Sequence, residues 1–150
     1  MRIFDSHSAL RDLLGAEKRW SRTREALAAA PSLTEGVTYS IGDSLTYRTG
    51  SAADLAAREL TGRRRYLMVV ASMAGEVAVE VARQEDLAAV APYSDLTDRQ
   101  PFTGPAERVL IPDGGLLIVD IDEAARILPT PDARAVLLHV TVEGASFHNK

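Results

Sequence analysis

The chain has 150 residues, 46% of them hydrophobic and 25% charged, a size and balance that suit one domain burying its apolar surface around a single core. It contains no cysteine, which removes disulfides, thiolate nucleophiles, iron–sulfur clusters and cysteine-ligated zinc. A net charge of −4 argues against general nucleic-acid binding, and no apolar run approaches the about 20 residues of a membrane-spanning helix.

At the N-terminus, "MRIFDSHSAL" has no apolar stretch of signal-peptide length and places Asp5 where such a stretch would lie, so a cytoplasmic location is expected. Ser8 can cap a short helix through Leu14, with Leu10, Leu13 and Leu14 on one face and Gly15 ending it. A second helix is expected from about Ala16 to Ala30, with Trp20, Thr23 and Leu27 on one stripe and Pro31 as its stop. The periodicity then changes. "VTYSIGDSLTYRTG" alternates as strands do around Gly42 and Asp43, which read as a hairpin turn. "AADLAAREL", residues 52–60, favours helix by intrinsic propensity but sits among strands, where tertiary context can override that preference.

Two strands follow, Tyr66 to Ser72 and Glu76 to Ala82, separated by Gly75. "RVLIPDGGLLIVDI" reads as a further strand pair about a Pro-Asp-Gly-Gly turn. A last strand, from about Arg134 to Val142, is mainly nonpolar on both faces, as a strand inside a sandwich must be. The expected fold is α+β and mainly β, a single domain over 1–150. A helical segment over 1–31 precedes an antiparallel sandwich or jelly roll over 37–142.

"RYLMVVASMAGEVAVEVA", followed about ten residues later by "YSDLTDRQPF", resembles the YhcH/YjgK/YiaL family, also called EbgC-like or TabA-like. The likeness extends from "MRIFD" through the "GVTYSIGD" hairpin and the Tyr93–Asp98 block to the closing strand. It implies a cupin-like sandwich with a ligand in its interior, and a metal-dependent sugar mutarotase or isomerase activity. The family's Glu-x-His-x-x-Tyr-x-Asp pattern, laid on Tyr66, puts Thr61 at the glutamate, Arg63 at the first histidine and Met68 at the aspartate. A later Pro-x3-His falls on Ile121 and Ala125. The resemblance thus implies a family member without the family's metal ligands, and no cofactor is expected. Glu59, Asp120, Asp122 and Glu123 lie nearby, either as a carboxylate-only cation site or as a solvated acidic turn.

On this reading the substrate-binding candidates are Arg63, Arg65 and Met68. An inward Arg63 needs an anion to offset its desolvation. The alternative sets Arg63, Arg64 and Arg65 at a strand edge, paired with surface acids. The catalytic candidates are His139, Tyr66 and Asp98. His139 replaces a lysine of the family's terminal strand and has a pKa suited to proton transfer, or else is a core histidine hydrogen-bonded to its neighbours. Tyr66 and Asp98 match family positions, although Tyr93 and Asp98 equally suit a structural role in their loop. The expected function is that of a small-molecule-binding, cupin-like protein. It would act as a metal-independent isomerase, anomerase or cyclase on a sugar-like or anionic metabolite; the alternative is a non-catalytic relative that binds a ligand or a protein. A symmetric homodimer is the default expectation for such a domain.

Overall fold

The computed structural model describes residues 1–6, 18–42 and 45–142. The expected first helix, residues 8–14, lies outside the described residues. The chain opens with strand β1 (Arg2–Phe4), unforeseen in a segment read as helical, and continues with helix α1 (Lys18–Ala29). Pro31 then tightens Ala30–Ser32 into a 3-10 turn, where the Leu33 N–H donates to the Ala30 carbonyl. Next come β2 (Tyr39–Ile41), β3 (Leu45–Ser51), a one-turn helix α2 (Ala52–Leu55), β4 (Leu60–Gly62), β5 (Tyr66–Ala74) and β6 (Val77–Arg83). The remaining strands are β7 (Ala88–Ala89), β8 (Gln100–Thr103), β9 (Glu107–Ile111), β10 (Leu116–Val119), β11 (Glu123–Ile127) and β12 (Arg134–Thr141).

The helix preference of residues 52–60 survives for one turn only. Ser51 caps it by accepting the Asp54 N–H at 3.1 Å, and extended backbone at Ala56 ends it. From there the chain is drawn into the sheet: the Ala57 N–H donates to the Ile127 carbonyl, and Thr61 pairs with Ala125.

The strands form two six-stranded antiparallel sheets, with orders β1-β10-β5-β12-β3-β2 and β7-β8-β4-β11-β6-β9. They stack as a sandwich. Strand β12 lies between β5 and β3, which explains why both of its faces are apolar. Its Val136, Leu138 and Val140 face the layer that contains Trp20, Ala26 and Leu27 of α1, whereas Ala135 and Leu137 pack toward Val77, Val79 and Ile127 of the second sheet. Trp20, Thr23 and Leu27, the stripe expected for α1, are all buried. No described helix is long and apolar enough to cross a membrane.

"RVLIPDGGLLIVDI" is not a hairpin. Its halves belong to different sheets: β9 pairs with β6, and β10 pairs with β5 and β1. All four residues of β10 are buried, so this strand needs cover on both faces, which an edge hairpin cannot give. The connecting turn requires its glycines. Gly114 has φ +79, and a Cβ on Gly115 would lie 2.7 Å from the Phe4 carbonyl oxygen.

Leu138, with no exposed surface at the centre of the first sheet, is expected to cost about 2–5 kcal/mol on truncation to alanine. Leu110→Ala, on the exposed face of edge strand β9, should change stability by less than about 0.5 kcal/mol. Urea unfolding of the two variants checks both.

Candidate functional site

The inner face of the first sheet carries one lateral row of unlike residues. His139 of β12 stands opposite Thr46 of β3 on one side and Met68 of β5 on the other, and Met68 is paired in turn with Val119 of β10. In the next row Arg48 faces Leu137. A strand's period of two places Thr46 and Arg48 on the same inward face. Across the interlayer space, Thr61 and Ala125 are cross-strand neighbours on β4 and β11.

These residues surround a cavity with two lobes. The outer lobe, about 350 Å³, is walled by Thr38, Thr46 and Thr97; the inner, about 210 Å³, by Leu55, Thr61, Met68, Ala125 and Ile127. Arg48, Arg63, Arg99, Leu137 and His139 line both, so the guanidinium groups and the imidazole stand where the lobes meet. Among the described residues no aspartate or glutamate lines either lobe. Among the described residues none of these three arginines is ion-paired with a carboxylate; Arg63 donates only to the Asp98 carbonyl, at 3.3 Å.

The electrostatic consequences follow from that geometry. Burial, and then the charge of Arg99, lower the Arg63 pKa to about 10, so it remains a cation at neutral pH. Burial, followed by the charges of Arg63, Arg99 and Arg48, lowers the His139 pKa to about 3. His139 is therefore a neutral imidazole at physiological pH, with one ring nitrogen able to accept a proton.

The run Arg63-Arg64-Arg65 fastens the loop that carries Arg99. Asp98 is buried, and its backbone takes φ +54, a conformation aspartate tolerates better than most residues. Its carboxylate accepts the backbone N–H groups of Arg64 (2.8 Å) and Arg65 (3.2 Å) and the Tyr93 hydroxyl (2.5 Å). That last bond raises the Tyr93 pKa, because it stabilises the protonated phenol. The Arg64 guanidinium lies over the Tyr93 ring, 4.0 Å from its centre. Arg65 points outward and binds Asp95 through both its carboxylate and its carbonyl. Ser94 and Arg99 close the loop with a reciprocal pair of backbone hydrogen bonds.

Of the residues singled out in the sequence, the structure brings His139, Arg63 and Met68 to the cavity, together with Thr61 and Ala125. Tyr66 lines a neighbouring crevice of about 10 Å³ that shares Arg63 and Met68 with the inner lobe, room for about one water. Arg65 is on the surface, and the Asp98 carboxylate is turned to backbone amides. Sequence reasoning missed Arg48 and Arg99. Arg48 had a visible signal, since it shares an alternation class with Thr46 in "LTYRTG", but which class faces inward is decided by the partner strand β12.

The resemblance drawn from the sequence implies a metal, and the wall residues do not fit one. Among the described residues a single imidazole stands amid three cations that repel a further positive ion. Among the described residues no group of three or more histidine, aspartate or glutamate side chains is placed to hold a metal. In the acidic turn after β10, Glu123 instead accepts the Asp120 N–H at 2.9 Å.

No family model matches the chain. Similar solved structures include a cupin protein from Bacteroides fragilis, at 9% identity, covering 73% of this chain and 80% of that one, with a TM-score of 0.40. Hydroquinone 1,2-dioxygenase PnpCD, in complex with Cd2+ and 4-hydroxybenzonitrile, is 17% identical over 86% of this chain and 78% of its own, with a TM-score of 0.47. HppE in its cobalt form is 10% identical over 89% and 94%, with a TM-score of 0.39. No functional assignment follows from likenesses of this degree.

Two outcomes are expected. Asp98→Ala leaves three donors without their acceptor and should cost about 2–4 kcal/mol, with Asp98→Asn milder because asparagine tolerates the same backbone; chemical denaturation measures both. An unfolded histidine takes its proton near pH 6.5 but folded His139 only near pH 3, so between those values the unfolded chain holds more protons. This group therefore withdraws stability as pH falls from about 6.5 toward 3 and withdraws none above that window. His139→Gln should flatten that acid limb in melting curves, and the His139 ring signals in NMR should not titrate between about pH 5 and 8.

Proposed function

We propose that the protein binds a small, hydroxylated, anionic metabolite between its two sheets, and that His139 moves a proton on it, as a metal-independent isomerase or anomerase of sugar-like acids would. One observation carries this reading: three guanidinium groups without carboxylate partners among the described residues converge, with a neutral imidazole, on one cavity of an acidic protein. A partly desolvated arginine lacking a counter-ion is a costly arrangement, and a bound oxyanion offsets that cost with bidentate hydrogen bonds. Thr38, Thr46, Thr61 and Thr97 add hydroxyls suited to a polyol. The cavity volume is at the small end of ligand sites, as a metabolite of sugar size requires.

The chemistry assigned to the site is a proton relay. In an anomerisation the His139 ring nitrogen takes the proton of the anomeric hydroxyl, and the bond from the anomeric carbon to the ring oxygen breaks. The ring oxygen, negative for that moment and held against a guanidinium, then takes the proton back from the imidazolium. Reclosure on the other face is the same sequence reversed. Anion binding favours this step, because it offsets the arginine charges that add to burial in lowering the His139 pKa, and so raises the basicity of the ring.

Kinship with the YhcH/YjgK/YiaL family is part of the same reading. What supports it is that Thr61 and Ala125, assigned from separate motifs to two ligand positions, are paired neighbours on one cavity wall beside Arg63. A second reading, binding without turnover, is favoured by the positions of Asp98 and Tyr66, which leave the described wall with one imidazole and no carboxylate to pair with it as acid and base.

Thermal shift and NMR exchange spectroscopy with a panel of sugar acids test both. The expected result is stabilisation by sugar acids but not by the parent sugars, accelerated α/β interconversion, at least about a tenfold loss of affinity in Arg63→Ala, and loss of turnover with retained binding in His139→Gln. Stabilisation with no interconversion selects the binding-only reading; equal response to charged and uncharged sugars removes the anion-binding one.

A further inference from the structure

We propose that the ligand of this cavity is a dianion, either a dicarboxylate or a phosphate monoester, and that two negative charges are what the site selects. The inference rests on the anion-binding reading above and extends it from the sign of the charge to its number.

Groups fixed by the fold set the charge of the site. Three cations face the meeting point of the lobes: Arg48 from β3, Arg63 from the link between β4 and β5, and Arg99 from the loop ahead of β8. Among the described residues, the one carboxylate near them is that of Asp98, behind the wall and held by the amides of Arg64 and Arg65. Three positive charges against one negative leave +2 on the frame, and His139 adds none at neutral pH. A monoanion leaves one positive charge of the frame unmatched, while a dianion matches the frame.

The shape agrees with the count. The arginines border both lobes, so two anionic groups a few bonds apart can each find a guanidinium while the linking carbons pass His139. At a water's share of about 30 Å³, the inner lobe takes roughly seven non-hydrogen atoms and the outer roughly a dozen, room for a compact dianion with hydroxyls against the threonines. Arg126, which also borders the inner lobe, does not enter the count: it is paired with Glu80, with two contacts of 2.6 and 2.7 Å.

The test is calorimetric titration of the full chain at pH 7.5 and constant ionic strength with gluconate, glucarate, glucose 6-phosphate, inorganic sulfate and uncharged sorbitol. Glucarate, glucose 6-phosphate or both should bind at least about tenfold more tightly than gluconate. Which of them leads distinguishes a dicarboxylate from a phosphate ester, and sulfate alone binding would reveal a bare oxyanion site too small for an organic dianion and overturn the proposal. Gluconate equal to or tighter than every dianion overturns it while leaving the anion-binding reading intact; sorbitol matching the anions overturns both. In Arg99→Ala, whose side chain is exposed at the rim and is not needed for the core, the preference for dianion over monoanion should fall toward unity. Arg48→Ala should do the same from the opposite wall, and a preference unmoved in both variants sinks the charge count.

Discussion

The carboxylate of Asp98 holds the site together. A buried negative charge has to be satisfied, and this one is satisfied by backbone amides of two consecutive residues and by a phenol five positions back in sequence. By doing so it ties the 93–99 loop to the start of β5. Arg63 precedes the amides that it binds and Arg99 follows Asp98 itself, so one anchoring group sets the location of two cavity cations contributed by distant segments. The same arrangement accounts for three consecutive arginines ahead of a core strand. Each does something different: Arg63 turns in and borders the cavity, Arg64 stacks on Tyr93, and Arg65 clasps Asp95 at the surface.

The second organising fact is the contrast between an acidic chain and a basic cavity. The net charge has the wrong sign to attract anions at long range, so any preference of this cavity for them comes from its local field, which acts most strongly where water is excluded. The same partial exclusion of water lowers the pKa of Arg63 and of His139 alike. Guanidinium groups carried on strands and an anchored loop provide a permanent positive field, geometrically fixed and insensitive to chelators.

Much of the fold was legible from patterning. The apolar stripe of α1, the change to alternation after Pro31 and the doubly apolar last strand anticipated a sandwich preceded by a helical segment; that α1 covers one of the sheets is visible only in the packing. What could not be read was which strand pairs with which. The Pro-Asp-Gly-Gly turn has the composition of a hairpin, yet it carries the chain from one sheet to the other, because cover on both faces of β10 outweighed local pairing. Short strands such as β4 and β8 carry too few residues to show a period at all. At the site, Arg63, Met68 and His139 were identifiable because they depart from a pattern. Arg48 and Arg99 were not, since an arginine in a strand or a loop is ordinary until the register shows which way it faces.

The cavity wall is assembled from pieces spread along the chain, from Thr38 to His139, and no two neighbouring strands can build it alone. Its pairings are predominantly between residues remote in sequence, so assembly waits on closure of the whole barrel-like stack and is slow relative to local helix formation. An occupant bound there engages both layers at once and acts as an internal cross-link. It therefore suppresses the global opening that exposes the deepest amides to exchange, rather than merely quieting a rim. Occupancy of the cavity and integrity of the fold are thus thermodynamically linked: the higher a bound molecule's concentration relative to its Kd, the rarer the global opening.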